Sequence, residues 1–168
     1  MPIVSIAPSN PFVDARQSER AMAVRTGCER YFAERNWVTL PELALSNGRR
    51  ADLVALSPRG DVAIVEVKSS ITDFRADHKW PEYQAFCDEL FFATLTDVPA
   101  HIFPEEAGFM VADVYGAEVV RTAPTIKMTP ARRKALHLTF ARASAQRLAR
   151  CCAHTGDDAG AFMEEGEG

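Results

Sequence analysis

Two carboxylates and a lysine stand out by type and spacing: Asp52 in the run ADLVAL, and Glu66 and Lys68 in the run DVAIVEVK. The linker between the runs, Ser57-Pro58-Arg59-Gly60-Asp61, is turn chemistry, with a proline that presets φ and a glycine that accepts positive φ. A hairpin whose turn is centred on Arg59 places Asp52 opposite Glu66 and Arg50 opposite Lys68. With alternating side chains, all four share one face at its open end. Leu53 to Leu56 and Ala63 to Val65 are apolar on both faces, as expected of strands in the middle of a sheet. An Asp–Glu pair emerging there suffers mutual repulsion and desolvation. A divalent cation such as Mg²⁺ or Mn²⁺ relieves both, and it polarises a phosphoryl oxygen and acidifies an attacking water. Lys68 then stands beside Glu66 to orient or deprotonate that water, or to balance phosphate charge. The plainer alternative is a solvated charge set at a strand end; an aspartate at the facing position weighs against it.

The surrounding elements follow from pattern. From about Asp14 to Arg35, Ala21, Val24, Cys28, Tyr31 and Phe32 make one helical stripe that Asn36 ends. VTLPELAL reads as a strand, edge-like or bulged at Pro41. ITDFRADHKWPEYQAF reads as a helix interrupted at Pro81, CDELFFATL as a strand, and GFMVADV with AEVVRTA as a second hairpin around Tyr115-Gly116. A long helix runs from Pro130 to about Cys152. The sum is an α/β fold: a mixed central sheet flanked by helices.

The expected organisation is an extended leader over 1–13, one domain over 14–152 and an acidic, disordered tail over 153–168. The chain has 168 residues, 47% of them hydrophobic, enough for one domain with a core. No secretion signal or membrane span is legible, so the cytoplasm is the default location. Cys28, Cys87, Cys151 and Cys152 have no zinc spacing and read as free thiols. The net charge of -4 is unevenly spread, because residues 153–168 hold five acids and no Lys or Arg, leaving 19 basic against 18 acidic residues elsewhere. Residues 119–152 carry eight Lys or Arg and no acid. There Arg142, Gln146 and Arg150 form a stripe, and Arg132, Arg133 and Lys134 crowd the helix start. Such a patch suits salt-sensitive nucleic-acid binding, or is a solvated helix face.

The path helix, strand, GRRAD, turn, IVEVKSS resembles the PD-(D/E)XK nuclease superfamily, with its restriction-endonuclease-like αβββαβ core. More closely, GRRADLVAL, VEVKSSITDFRADHKWPEY, CDELFFA and FMVADVYGAEVVR resemble the MmcB-like family of bacterial DNA repair proteins, over roughly residues 15–150. The resemblance implies a DNA repair role, with DNA and other repair proteins as partners and the nucleoid as a location. It matches Asp52 and Glu66 to metal ligands and Lys68 to the catalytic lysine. A further glutamate is expected, with Glu29, Glu34 and Glu42 as candidates. Arg49 and Arg50 are expected at the site's mouth as phosphate contacts. Ser69, Ser70, Lys79 and Tyr83 are further DNA-contact candidates, with Ser70 alternatively a helix cap and Trp80 a core anchor. Two functions fit: a metal-dependent nuclease, or a nuclease-like binding module that does not cut. RNA as substrate stays open.

Overall fold

A computed structural model describes residues 18–160, with side chains as far as Ala153. The expected leader over 1–13 and the end of the tail, 161–168, lie outside these residues. Ser18 caps α1 (Glu19–Ala33) by accepting the Ala21 N–H at 3.2 Å, and Asn36, at φ 59°, turns the chain out of it. Val24, Cys28 and Phe32 are buried along one stripe, as the periodicity predicts.

Six strands follow: β1 (Val38–Ala44), β2 (Arg50–Leu56), β3 (Val62–Val67), β4 (Glu89–Thr94), β5 (Gly108–Ala112) and β6 (Ala117–Arg121). They form one sheet in the order β1 to β6, with β3, β4 and β5 mutually parallel and the other neighbours antiparallel. The crossover between β3 and β4 carries α2 (Ile71–Ala76) and a 3-10 helix, Trp80–Phe86, where an interrupted helix is expected. The αβββαβ order corresponds to the restriction-endonuclease-like core that the resemblance implies. α3 spans Pro130–Gly160, eight residues beyond the expected end near Cys152 and into the segment expected to be disordered.

The sheet separates two apolar layers. Val24, Cys28 and Phe32 of α1 pack on Leu53, Ala55, Ala63 and Val65 on one face. On the other, Val54, Ile64 and Phe92 meet Phe86 of the 3-10 helix and Leu136 and Phe140 of α3. Trp80 stacks edge-on against Phe92 at 5.8 Å, the core anchor foreseen for it. α1 also lies tight on the β5–β6 turn. A Cβ on Gly27 would sit 2.1 Å from the Asp113 carbonyl oxygen and 2.3 Å from that of Gly116. Asp113 Oδ1 accepts the Tyr115 and Gly116 N–H groups and closes the turn.

The central hairpin has the expected register, from Leu56↔Val62 to Leu53↔Val65. Gly60, at φ 87°, makes the turn possible, and Ser57 Oγ accepts from the Arg59 and Asp61 N–H groups. Behind the turn lies a polar node. The buried Asp88 carboxylate accepts the N–H groups of Val62 and Met128 at 2.8 and 3.0 Å and both guanidinium arms of Arg133 at 2.8 and 2.6 Å. Arg133 also donates to Gly60 O at 2.8 Å, and His137 Nε2 donates to the same carbonyl at 2.9 Å. Two arginines expected as phosphate contacts are therefore structural: Arg133 here, and Arg132, which donates to Ala85 O.

Alternation slips at one place in β1 and β2. Glu42 takes φ 54°, and it faces Asp52 between the pairs Pro41↔Leu53 and Leu43↔Ala51. Leu40 and Leu43 consequently pack into the same layer, as do Ala51 and Val54.

Candidate functional site

The β2–β3 ladder stops at Leu53↔Val65, and side chains take over from the backbone. Val67 N–H donates to Asp52 Oδ2 at 2.8 Å, and Asp52 N–H donates to Glu66 Oε1 at 3.3 Å. Beyond this point β3 bonds only towards β4, with Lys68 N–H donating to Ala93 O at 2.9 Å. The two carboxylates thus sit where the strands part, and a cleft of about 420 Å³ opens there. Asp52, Glu66, Lys68, Asp77 and Tyr83 line it, and α1 adds Arg25.

Electrostatics in the cleft are dominated by crowded acids. Burial pushes the Asp52 carboxyl up to about 6, with Glu42 adding to the shift and the Val67 N–H and Lys68 opposing it. Burial, and then the charge of Asp52, raise Glu66 well above the usual range. For Lys68, burial works to lower the ammonium pKa. The hydrogen bond to Asp77 and the charges of Glu66, Asp77 and Asp52 outweigh it, so the net shift is upward. Lys68 Nζ lies 2.6 Å from Asp77 Oδ2 and 4.0 Å from Glu66 Oε2. Tyr83 donates its hydroxyl to Arg50 O at 3.1 Å, and burial followed by the nearby acids pushes its phenol up.

The structure brings Asp52, Glu66, Lys68, Ser69 and Tyr83 to the cleft; the other candidates stand outside its lining. Arg50 was expected opposite Lys68. It pairs with Ala44 across β1, and its guanidinium meets the Glu42 carboxylate at 2.6 Å. The slip at Asp52 is the reason, since a one-residue shift sends following side chains to the opposite face. Arg49 forks onto Glu82 at 2.7 and 2.9 Å. Ser70 is the cap of α2, accepting the Asp73 N–H at 3.1 Å, and Ser69 is bonded to Asp73 Oδ2 through its own N–H. Lys79 is exposed, with its N–H on Asp77 Oδ1. In α1, Glu29 faces Arg25 at 3.6 Å and Glu34 faces Arg35 at 3.8 Å.

Arg25 and Asp77 are the residues that the sequence reasoning missed. Arg25 lies four residues after Ala21, on the flank of the apolar stripe, and only 7% of its surface is exposed. A cation buried beside such a stripe is the signal that could have found it. Asp77 stood in a visibly polar run, but nothing local announces that it reaches back to Lys68.

A cation fits this donor set. Among the described residues no three Asp, Glu, His or Cys side chains converge to hold an ion unaided. Mg²⁺, however, is commonly held by one or two carboxylates, with waters and substrate phosphate completing its shell. Asp52 and Glu66 supply such a pair, and both carry raised pKa values that a cation would lower.

Fold and site together define a restriction-endonuclease-like α/β protein with an acidic cleft at the open end of its central hairpin. Residues 8–155 match the family described as DNA repair protein MmcB-like. The chain belongs to the MmcB-like family, which supports a role in DNA repair. It is also similar to a solved structure, a protein of unknown function from Silicibacter pomeroyi. The two are 37% identical with a TM-score of 0.79, over 83% of this chain and 96% of that one. No curated protein matches the chain. Among the described residues no helix is long and apolar enough to cross a membrane.

Proposed function

We propose that this repair protein is a metal-dependent nuclease that hydrolyses DNA phosphodiester bonds in the Asp52–Glu66–Lys68 cleft. The observation that carries the reading is the convergence of these three side chains where the hairpin strands part. Asp52 and Glu66 would hold Mg²⁺ or Mn²⁺, which supplies Lewis-acid polarisation of a phosphoryl oxygen and a more acidic water. The raised pKa of Lys68 narrows its role. It stays an ammonium, so it balances phosphate charge and orients the water rather than deprotonating it. Asp77 holds that ammonium in place at 2.6 Å. Arg25, buried in the cleft wall, is suited to a phosphate oxygen.

The test is incubation of purified protein with duplex, nicked, flap and single-stranded DNA in Mg²⁺ or Mn²⁺. Cleavage is expected, and Lys68→Ala should slow it by about a hundredfold or more. A Lys68→Ala protein that cuts as well as the unaltered chain removes the mechanism. The lack of three converging ligands among the described residues favours a second reading, a nuclease-like module that binds DNA without cutting it. No cleavage of any substrate in either metal would leave that second reading standing.

A further inference from the structure

A second groove, about 380 Å³, lies between β1 and α3. Its lining includes Glu42, Thr139, Arg142, Gln146, Arg147 and Arg150. Arg147 is anchored to the sheet, donating to the carbonyls of Pro41 and Glu42. This fixes α3 against an edge strand whose kink at Glu42 turns those carbonyls to it. Glu42, the one acid lining the groove, has its carboxylate on Arg50 at 2.6 Å. The groove therefore carries a net positive charge. Arg142, Gln146 and Arg150 are exposed and recur every four residues. They form a row on one helix face, with the two guanidinium-bearing positions about 12 Å apart along the axis.

The row also has a direction. Glu42 faces Asp52 across the β1–β2 pair, so the groove and the acidic cleft meet at the same kink. Arg50 stands between them, 58% exposed at its side chain, and its carbonyl accepts the hydroxyl of Tyr83 in the cleft wall. We propose that the β1–α3 groove binds the phosphodiester backbone of DNA, with Arg142, Gln146 and Arg150 as its contacts, and leads the strand past Arg50 into the cleft. An anionic chain needs such a continuous basic path, because the cleft itself is lined mostly by acids and repels phosphate on its own. The inference rests on the reading that the protein acts on DNA, and not on whether it cuts.

The test is binding of a fluorescent oligonucleotide, single-stranded and duplex, to the full chain across a salt series with chelator present. The variants are R142Q/R150Q and T139E, all at exposed positions, with K134Q on the same helix outside the groove as reference. The double variant should bind about tenfold more weakly, with a salt slope shallower by about two for duplex. T139E, which adds an acid while keeping every arginine, should weaken binding in the same direction. Unchanged affinity and slope in R142Q/R150Q overturn the proposal. An equal loss in K134Q overturns it too, by showing attraction to the whole helix rather than the groove. So does competition by polyglutamate as effective as by unlabelled DNA. Because no metal is present, a protein that never cuts DNA but loses binding in R142Q/R150Q fails as a nuclease while the groove stands.

Discussion

Two places in this fold bury carboxylates, and they treat them in opposite ways. Asp88 receives four hydrogen bonds from Val62, Met128 and Arg133, and although burial works to raise it, they bring its pKa down to about 2. Asp52 and Glu66, one turn of chain away along the same hairpin, each accept a single backbone N–H and share one lysine at a distance. Burial prevails there, and both pKa values rise. The first carboxylate is saturated and ties the hairpin turn to α3. The second pair is left short of donors, which is the state in which a cation or a phosphate-bound metal has most to offer.

Removing the saturated group should do the most damage. Asp88→Ala strands the Arg133 guanidinium and two buried N–H groups, and a loss of about 3–5 kcal/mol in urea unfolding is expected. Next comes the unsaturated pair under metal. Mn²⁺ at a hundred times its dissociation constant should stabilise the unaltered protein by about 2.7 kcal/mol. The same titration should leave Asp52→Asn and Glu66→Gln unmoved, as read by thermal shift. Without metal, Asp52→Asn should be more stable than the unaltered chain at pH 8, by about 1 kcal/mol, because an amide escapes the desolvation that the carboxylate suffers. A loss of stability in that variant would erase the contrast between the two regions. Arg133→Lys keeps the charge but not the fork, and a cost of about 1 kcal/mol is expected.

The two regions also differ in the sign of their pH dependence. Asp88 has a folded pKa below its unfolded value of 3.8, so its contribution is present above pH 3.8 and lost as pH falls through about 2. Asp52 is raised from 3.8 to about 6, so it favours the folded state below pH 3.8, and that contribution is lost as pH rises through about 6. Between pH 4 and 6 the metal-free protein should therefore lose stability with rising pH, and Asp52→Asn should flatten that slope.

Most of the hairpin was legible because everything that sets it is local: the turn residues, the apolar runs and the spacing of Asp52 from Glu66. Arg50 was misplaced because its partner depends on a backbone kink at Glu42, and nothing in the run LPEL marks a positive φ there. The basic stretch before Cys152 was half legible. Its stripe at Arg142, Gln146 and Arg150 lines a groove, but other cations in it are bound to groups far away in sequence. Lys127 reaches Asp61, and Arg121 reaches the carbonyls of Phe103, Pro104 and Ala107. Only tertiary structure reveals such partners, because a local charge pattern looks the same whether its ions meet solvent or protein.

The contact at Gly27 bears on how the cleft can move. With two carbonyl oxygens of the β5–β6 turn where a Cβ would stand, α1 cannot slide or roll without colliding with backbone. The wall carrying Arg25 is therefore stationary. On the opposite side, α2 has six residues and buries none of them. Admission of a bulky substrate is a swing of that short helix, and exchange of amide hydrogens with deuterium should be faster over Ile71–Ala76 than over α1.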